Sequence, residues 1–393
     1  MSITAASGWL ASGVRAGTKP SGELDLALVW SEHPATVAGA FTTSKVPSAH
    51  VQLCKPRVAS GSARGFLVTS GIANAFTGEE GLHDAARLSR AAADLTGTPD
   101  VEMLMCATGT IGPRLPVDEM LPGVELTAKE LSADGGDLAA QAILTTDTKA
   151  KTAIRDVEIG GRLITIGGMA KGAGMIFPKM EPQGTLLVFL TTDAACDADS
   201  LRHVIAETIP TTFNAITIDG CMSTSDTVLL FANGASGIDV SGSHDFTESV
   251  RELMSDLAYQ VVADGEGATR VIRSVVRGAA SDQDAYLGAQ EIARSDLLRS
   301  AIWGNDANLG RIVQALGQAP IGLDPAQLDV SMAGVLLSRG GVETGKRGEA
   351  SKILAKGGDA VVEVNLHLGD GSFEYLSCDL TPEYVKFNAD YTT

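Results

Sequence analysis

Two segments decide how this sequence folds: Gly167-Gly-Met-Ala-Lys-Gly-Ala-Gly-Met175 and Gly184-Thr-Leu-Leu-Val-Phe-Leu190. The first follows an alternating apolar pattern over residues 153–166, which turns at Gly160-Gly161, a dipeptide that accepts the positive φ angles of a tight hairpin. It leaves that hairpin through a single lysine, Lys171, among glycines and apolar residues. The second segment places a Gly-Thr bond directly before an apolar run of strand length. Taken singly, a solvated loop lysine and an ordinary strand start are equally compatible with these segments.

On both sides of these segments, strand patterns alternate with helix patterns. Further strands are predicted at 24–30, 228–232, 360–368 and 373–378, and helices at 82–95 and 250–261. Apolar content also predicts a strand from Ala215 to Asp219 and one helix covering Ala285 to Ile302. Because two of the strand pairs are hairpins, we expect an α/β (α+β) fold class with mixed or antiparallel sheets sandwiched by helices.

The composition excludes several classes of function. With 393 residues the chain exceeds one ordinary hydrophobic core, so two domains, or one large domain with an appendage, are expected. Acidic residues outnumber basic ones by 48 to 30 without a dense Lys/Arg run, which argues against nucleic acid as a partner. The five cysteines and six histidines show neither CxxC nor metal-ligand spacing, so we expect no metal site. No apolar run approaches a membrane span, and a soluble, cytoplasmic protein is expected.

Three glycine-rich motifs fail as nucleotide-binding loops. Gly340 to Arg347 nearly matches a phosphate-binding loop, but Arg347 occupies the place of the magnesium-binding Ser/Thr. Gly172-Ala-Gly174 and Gly265-Glu-Gly267 each begin a dinucleotide fingerprint and lack its third glycine. A GxSxG nucleophile elbow and an HExxH zinc motif are also absent from the sequence. The sequence therefore gives little support to a standard Ser-His-Asp hydrolase or to a zinc enzyme.

A third polar stretch, Cys106-Ala-Thr-Gly-Thr-Ile-Gly112, leaves an apolar strand through Thr108 and Gly109. Such a turn can aim a backbone N–H and a hydroxyl at one point, although a purely structural turn explains it as well. Together with the two segments above, it resembles one family: the ornithine acetyltransferases, also called bifunctional glutamate N-acetyltransferases, of arginine biosynthesis. The resemblance rests on eight blocks spread over nearly the whole chain: SGIANAFTG (70–78), CATGTIGPRLP (106–116), AILTTDT (142–148), GGMAKGAGM (167–175), IDGCMSTSDT (218–227), ADGEGATR (263–270), NDANLGRI (305–312) and NADYTT (388–393).

The resemblance implies an architecture like that of N-terminal-nucleophile enzymes, with a smaller C-terminal α/β part. It also implies self-cleavage between Gly184 and Thr185, giving an alpha chain of residues 1–184 and a beta chain of residues 185–393. Thr185 would then be the N-terminal nucleophile, and two copies of each chain would form an α2β2 heterotetramer. The chemistry supports this choice, because a free α-amine has a pKa of about 7.7 to 8 and is a better base near neutral pH than lysine at about 10.4. Thr191 and Thr192, at the far end of the same apolar strand, are the alternative nucleophiles.

The family's oxyanion-hole pair corresponds to Thr108 and Gly109. The positions that match the family's substrate contacts are Thr146, Lys171, Thr185, Glu266, Asn388 and Thr393. An amino-acid substrate needs a cation for its carboxylate and an anion for its ammonium, and we assign these roles to Lys171 and Glu266. The segment from Pro178 to Thr185 is about three residues longer than the family pattern.

The resemblance implies transfer of an acetyl group from N-acetylornithine to glutamate through an acetyl-threonine intermediate. No cofactor is implied, and the use of acetyl-CoA as a second acetyl donor, known in bifunctional members, stays open. One rival is an amidase or aminopeptidase of similar architecture, which would pass the acyl group to water. A second rival is an uncleaved, catalytically silent homologue that only binds amino acids, supported by the longer segment before Thr185.

Overall fold

The computed structural model describes residues 3–177, 180–181 and 186–390. Contacts divide the chain into two compact units, one of residues 3–214 and 222–261 and one of residues 215–221 and 262–390. This division differs from the predicted cleavage products, 1–184 and 185–393, which stay a prediction.

The described residues contain sixteen strands and eleven α-helices. The strands are β1 (Trp9–Val14), β2 (Leu26–Ser31), β3 (Thr36–Thr42), β4 (Gly65–Ile72), β5 (Met103–Thr110), β6 (Lys151–Ile159), β7 (Arg162–Lys171), β8 (Met180–Glu181), β9 (Leu187–Thr192), β10 (Thr227–Ala232), β11 (Val271–Ala279), β12 (Asp329–Met332), β13 (Val335–Arg339), β14 (Val342–Glu343), β15 (Ala360–Asn365) and β16 (Gly371–Cys378). The helices are α1 (Ala49–Ala59), α2 (Gly78–Thr96), α3 (Val117–Lys129), α4 (Gly136–Ala142), α5 (Ala198–Thr208), α6 (His244–Ala263), α7 (Asp282–Arg294), α8 (Asp296–Trp303), α9 (Leu309–Gly317), α10 (Arg347–Leu354) and α11 (Pro382–Asp390).

The larger unit contains two mixed sheets. The first has the order β1-β2-β4-β5, antiparallel except for the parallel pair β4 and β5. The second has the order β6-β7-β9-β10-β3-β8, in which only β9 and β10 are parallel. The turn between β6 and β7 has positive φ at Gly160 and Gly161, as the dipeptide predicted.

The inner faces of these two sheets form one core. Phe66 of β4 stacks on Phe189 of β9, with ring centroids 4.3 Å apart, and on Phe231 of β10, at 5.2 Å. The next residue along β4, Leu67, faces the opposite way because side chains alternate along a strand, and it packs in a separate cluster with Leu88 of α2. The two sheets therefore lie face to face, and α2 and α3 cover the outer face of the first.

Helix α6 covers the outer face of the second sheet. It lies so close to β7 that a Cβ atom at Gly168 would be 2.8 Å from a methyl carbon of Leu253 and 3.0 Å from one of Leu257. This close approach explains a glycine inside the strand. Because both faces of β9 and β10 are buried, these two strands have largely continuous apolar sequences rather than alternating ones.

The smaller unit contains a third mixed sheet, of order β14-β13-β12-β15-β11-β16. Its core joins apolar residues of the sheet, such as Val276 and Val364, to those of the helices, such as Ala289 and Leu316. The predicted fold class, with helix-covered mixed sheets and a smaller C-terminal α/β part, is confirmed.

Two element predictions in the smaller unit are wrong. Residues 215–219 make a single bridge, Ile216 with Leu376, rather than a strand. Their carbonyls bond to side chains instead, since Ile216 accepts the hydroxyl of Tyr375 at 3.1 Å. The single helix predicted over 285–302 is two helices, because Ser295 takes an extended conformation and its hydroxyl accepts the Leu298 N–H to begin α8.

Candidate active site

The predicted oxyanion-hole pair lies at the end of β5. Thr108 is paired with Ser70 and Gly109 with Gly71 on the parallel neighbour β4. Gly109 has φ 128°, and a Cβ atom there would lie 2.3 Å from the carbonyl carbon of Gly71. Only glycine fits this position, so the strand passes Gly109, one residue before its end at Thr110, with a backbone that no side chain of its own covers.

A buried histidine on α1 supports this strand end. The His50 Nδ1 accepts the backbone N–H of Ala107 at 3.2 Å and lies 2.9 Å from the Ser48 hydroxyl. Because Nδ1 accepts, the ring proton is on Nε2, which donates to the carbonyl of Ser225 at 3.0 Å. Complete burial lowers the pKa of His50 to about 3, against the opposing effect of the Ser225 bond. A neutral imidazole therefore fixes the peptide next to Thr108.

Lys171 reaches the same strand end from the other sheet of the larger unit. It is the last residue of β7, and its Nζ donates to Thr108 Oγ1 at 3.4 Å. In the ladder between β7 and β9, Lys171 is paired with Leu187, the first residue of β9. The strand that follows Thr185 in sequence thus begins beside Lys171. Gly184 and Thr185, the predicted cleavage site and nucleophile, lie outside the described residues.

The carboxylate of Asp147 lies between Lys171 and a second lysine, Lys151. Its Oδ1 is 2.6 Å from Lys151 Nζ and its Oδ2 is 4.0 Å from Lys171 Nζ, and the Asp147 side chain has no exposed area. The backbone N–H groups of Gly172 and Thr145 donate to it at 2.7 Å and 3.0 Å. Burial acts to raise the pKa of Asp147, but the ammonium groups of Lys171 and Lys151 and the Thr145 N–H outweigh it and lower that pKa to about 2.

Thr146, predicted to contact substrate, is half-buried in the loop after α4. It lies between Thr145, whose N–H is bound by Asp147, and Asp147 itself. The structure thus brings Thr108 and Lys171 into contact, and Asp147 links Lys171 to the loop that carries Thr146.

The smaller unit brings two other predicted substrate residues together. The Asn388 Nδ2 donates to Glu266 Oε2 at 2.9 Å and to the carbonyl of Tyr384 at 3.1 Å. Burial, and after it the neighbouring acidic groups, including Glu266, raise the pKa of the Tyr384 hydroxyl. Residues next to this pair line a cleft of about 360 Å³: Gly267, Glu383, Lys386, Phe387 and Asp390. Thr393, the last predicted contact, lies outside the described residues.

The two alternative nucleophiles are both used inside the fold. Thr191 and Thr192 are fully buried at the end of β9 that is remote from Lys171 in the β7 ladder. Their hydroxyls donate to the carbonyls of Ile3, at 2.6 Å, and Thr165, at 2.8 Å. This geometry favours Thr185 over either of them.

Within the described part of the chain, His, Cys, Asp and Glu side chains form no group of three or more that is placed to hold a metal ion. The helices described there are also too short or too polar to cross a lipid bilayer.

A family model described as the ArgJ family matches residues 10–393. The chain belongs to the ArgJ family. Arginine biosynthesis bifunctional protein ArgJ of Parasynechococcus marenigrum is 41% identical over 100% of this chain and 95% of its own. The protein of the same name from Geobacter sulfurreducens is 42% identical over 98% of this chain and 99% of its own. A crystal structure of the ArgJ protein from Bacillus halodurans is 36% identical, with a TM-score of 0.50, over 52% of this chain and 98% of that chain.

The predicted family and enzyme class, an acetyltransferase of arginine biosynthesis, are therefore confirmed. Three residues around the candidate ArgJ site were not predicted: Asp147, Lys151 and His50. The block AILTTDT contained a signal for the first, because Asp147 directly follows Thr146. The other two contact the site only through the tertiary fold.

Proposed function

We propose that the chain transfers an acetyl group from N-acetylornithine to glutamate through an acetyl ester on Thr185. The observation that carries the proposal is the contact between Lys171 of β7 and Thr108 of β5, because the same lysine is paired with the first residue of β9. A strand end with a hydroxyl, a half-buried glycine backbone and a buried ammonium suits a carbonyl oxygen that gains negative charge.

Cleavage of the Gly184–Thr185 bond generates the nucleophile. The Thr185 hydroxyl attacks the Gly184 carbonyl carbon, the C–N bond breaks, and an ester forms that water hydrolyses. The products are a carboxylate on Gly184 and a free α-amine on Thr185. The ArgJ chain from Bacillus halodurans supports this step, because 98% of that solved chain is matched by only 52% of the present one, as expected for one product of a cleaved precursor.

Acetyl transfer then takes place in two halves. The α-amine of Thr185 takes the proton of its own hydroxyl, whose oxygen attacks the acetyl carbonyl, while Thr108 and Gly109 donate to the oxyanion. The amine returns the proton to the departing ornithine nitrogen, which leaves an acetyl ester. The neutral amine of glutamate attacks that ester, N-acetylglutamate leaves, and the hydroxyl is regenerated.

Charged side chains select the amino-acid substrates. Lys171 provides the cation and Glu266, hydrogen-bonded to Asn388, provides the anion for an ammonium group. Thr146 and Thr393 complete the substrate contacts.

The reaction needs no metal or organic cofactor, and acetyl-CoA is a possible second acetyl donor. The enzyme is cytoplasmic, and two copies of each cleaved chain assemble as an α2β2 heterotetramer.

The deciding experiment is an intact-mass spectrum of the purified, denatured protein, with Thr185→Ala as the control. Fragments 1–184 and 185–393 are expected from the wild type, and a single chain from the variant. A fragment beginning at Thr191 or Thr192 would show that this threonine, and not Thr185, is the nucleophile. An uncleaved wild type without turnover would favour the silent homologue.

Two further measurements test the reaction and the assembly. Incubation with N-acetylornithine and glutamate should yield N-acetylglutamate, whereas free acetate would indicate the amidase. Gel filtration at the mass of one precursor would contradict the tetramer.

A further inference from the structure

Asp147 is a buried charged group that no step of the proposed reaction uses. A carboxylate without exposed area is costly unless cations and hydrogen-bond donors surround it. Lys151 alone would satisfy much of that need, since its Nζ is 2.6 Å from Oδ1. A second ammonium beside the same carboxylate, on Lys171, therefore calls for another explanation than neutralisation of Asp147.

The two oxygens of Asp147 have different surroundings. Oδ1 is held closely by Lys151 and by the Gly172 N–H. Oδ2 accepts the Thr145 N–H at 3.0 Å and lies 4.0 Å from Lys171 Nζ, too far for a hydrogen bond yet near enough for a strong, poorly screened attraction in a buried site. The ammonium of Lys171 is thus attracted by the carboxylate and still directed at Thr108 Oγ1, 3.4 Å away.

Asp147 also holds the backbone next to two predicted substrate residues, Lys171 and Thr146. Its bond to Gly172 holds the residue that directly follows Lys171, and its bond to Thr145 holds the residue before Thr146. Without the carboxylate, the ammonium groups of Lys151 and Lys171 would face each other across the same space, and their repulsion would move Lys171 away.

We propose that Asp147 is a positioning residue for acyl transfer: it holds the Lys171 ammonium against Thr108 of the oxyanion hole and affects the reaction only through Lys171. This inference rests on the proposed function. A displacement of about 1 Å at a reacting centre can cost about 100-fold in rate.

The test is a double-mutant cycle of Asp147→Asn and Lys171→Met, read by kcat and KM for transfer from N-acetylornithine to glutamate. Asparagine keeps the shape, and its single carbonyl oxygen can accept one of the two backbone N–H groups that the carboxylate accepts, as in the control variant below. We expect Asp147→Asn to lower kcat about 100-fold in the wild-type background and less than about threefold further in the Lys171→Met background. An equal loss in both backgrounds would overturn the proposal, because Asp147 would then act independently of Lys171.

Asp193→Asn is the matched control. The Asp193 carboxylate is also buried and also accepts two backbone N–H groups, from Thr165 at 3.0 Å and Ser7 at 3.3 Å. It directly follows β9, whose last residue is remote from Lys171 in the ladder. We expect Asp193→Asn to lower the free energy of unfolding while kcat stays within about threefold of the wild-type value. A similar loss of kcat in both variants would show that any lost buried carboxylate impairs the enzyme, which contradicts positioning.

If Asp147→Asn does not fold, the combined variant Asp147→Leu with Lys151→Met replaces the close ion pair by apolar groups, a change that cores tolerate well. It should show the same loss of kcat, and full turnover would overturn the proposal. A wild type that makes no acetylglutamate would refute the proposed function itself. In that case the coupling of Asp147→Asn and Lys171→Met in the free energy of unfolding still tests their contact.

Discussion

Mild acid is expected to destabilise the protein through His50. Its pKa is about 3 in the fold and about 6.5 in the unfolded chain. Because the folded pKa is the lower one, the unfolded chain takes up the proton first as the pH falls, so the stabilisation is complete above pH 6.5 and is lost toward pH 3. At pH 4.5, protonation of His50 in the unfolded chain shifts the folding equilibrium about 100-fold toward the unfolded state, relative to neutral pH. This shift lowers the free energy of unfolding by about 2 to 3 kcal/mol. Protonated Nδ1 would also point a hydrogen at the Ala107 N–H.

The assay is urea unfolding at pH 7.5 and pH 4.5 for the wild type, His50→Gln and His203→Gln. Glutamine donates and accepts hydrogen bonds without titrating in this range, so the His50 variant should lose about 2 to 3 kcal/mol less than the wild type between the two pH values. His203 is exposed on α5, and its variant should follow the wild type. Equal pH dependence in the wild type and the His50 variant would refute the argument, because another group would then cause the acid sensitivity.

Three further outcomes are expected. Gly109→Ala places a Cβ atom against the Gly71 carbonyl and should lower kcat by about 100-fold or more in steady-state assays, whereas Gly112→Ala, which also has positive φ but open space around it, should cost far less. Glu266→Gln should raise KM for N-acetylornithine about tenfold at constant kcat, and an unchanged KM would remove the ammonium-binding role. Phe66→Ala should cost about 3 to 5 kcal/mol in urea unfolding, and a loss below 1 kcal/mol would mean that the stacked rings do not hold the two sheets together.

The sequence alone was sufficient where local patterns carry the information. The hairpin at Gly160-Gly161 and the strand end at Thr108 and Gly109 follow from glycine positions and apolar runs, and the structure has both. It was insufficient where a contact joins distant segments: His50 and Ala107 are 57 residues apart, and no local pattern relates them. The break at Ser295 was missed because one serine that caps a helix looks, in an apolar periodic segment, like an exposed helix residue.

The distance between the facing sheets explains why the site contains a lysine. Stacked sheets lie about 10 Å apart, and the rings of Phe66, Phe189 and Phe231 fill that space in the core. At the edge of the core, the long aliphatic chain of Lys171 extends from β7 and brings a charge to Thr108 on the opposite sheet. The same length allows more than one orientation of the ammonium, and under the proposal above the fixed carboxylate of Asp147 selects the orientation directed at Thr108. A methionine at this position would fill the same space without charge, so its effect on kcat measures the charge and not the packing.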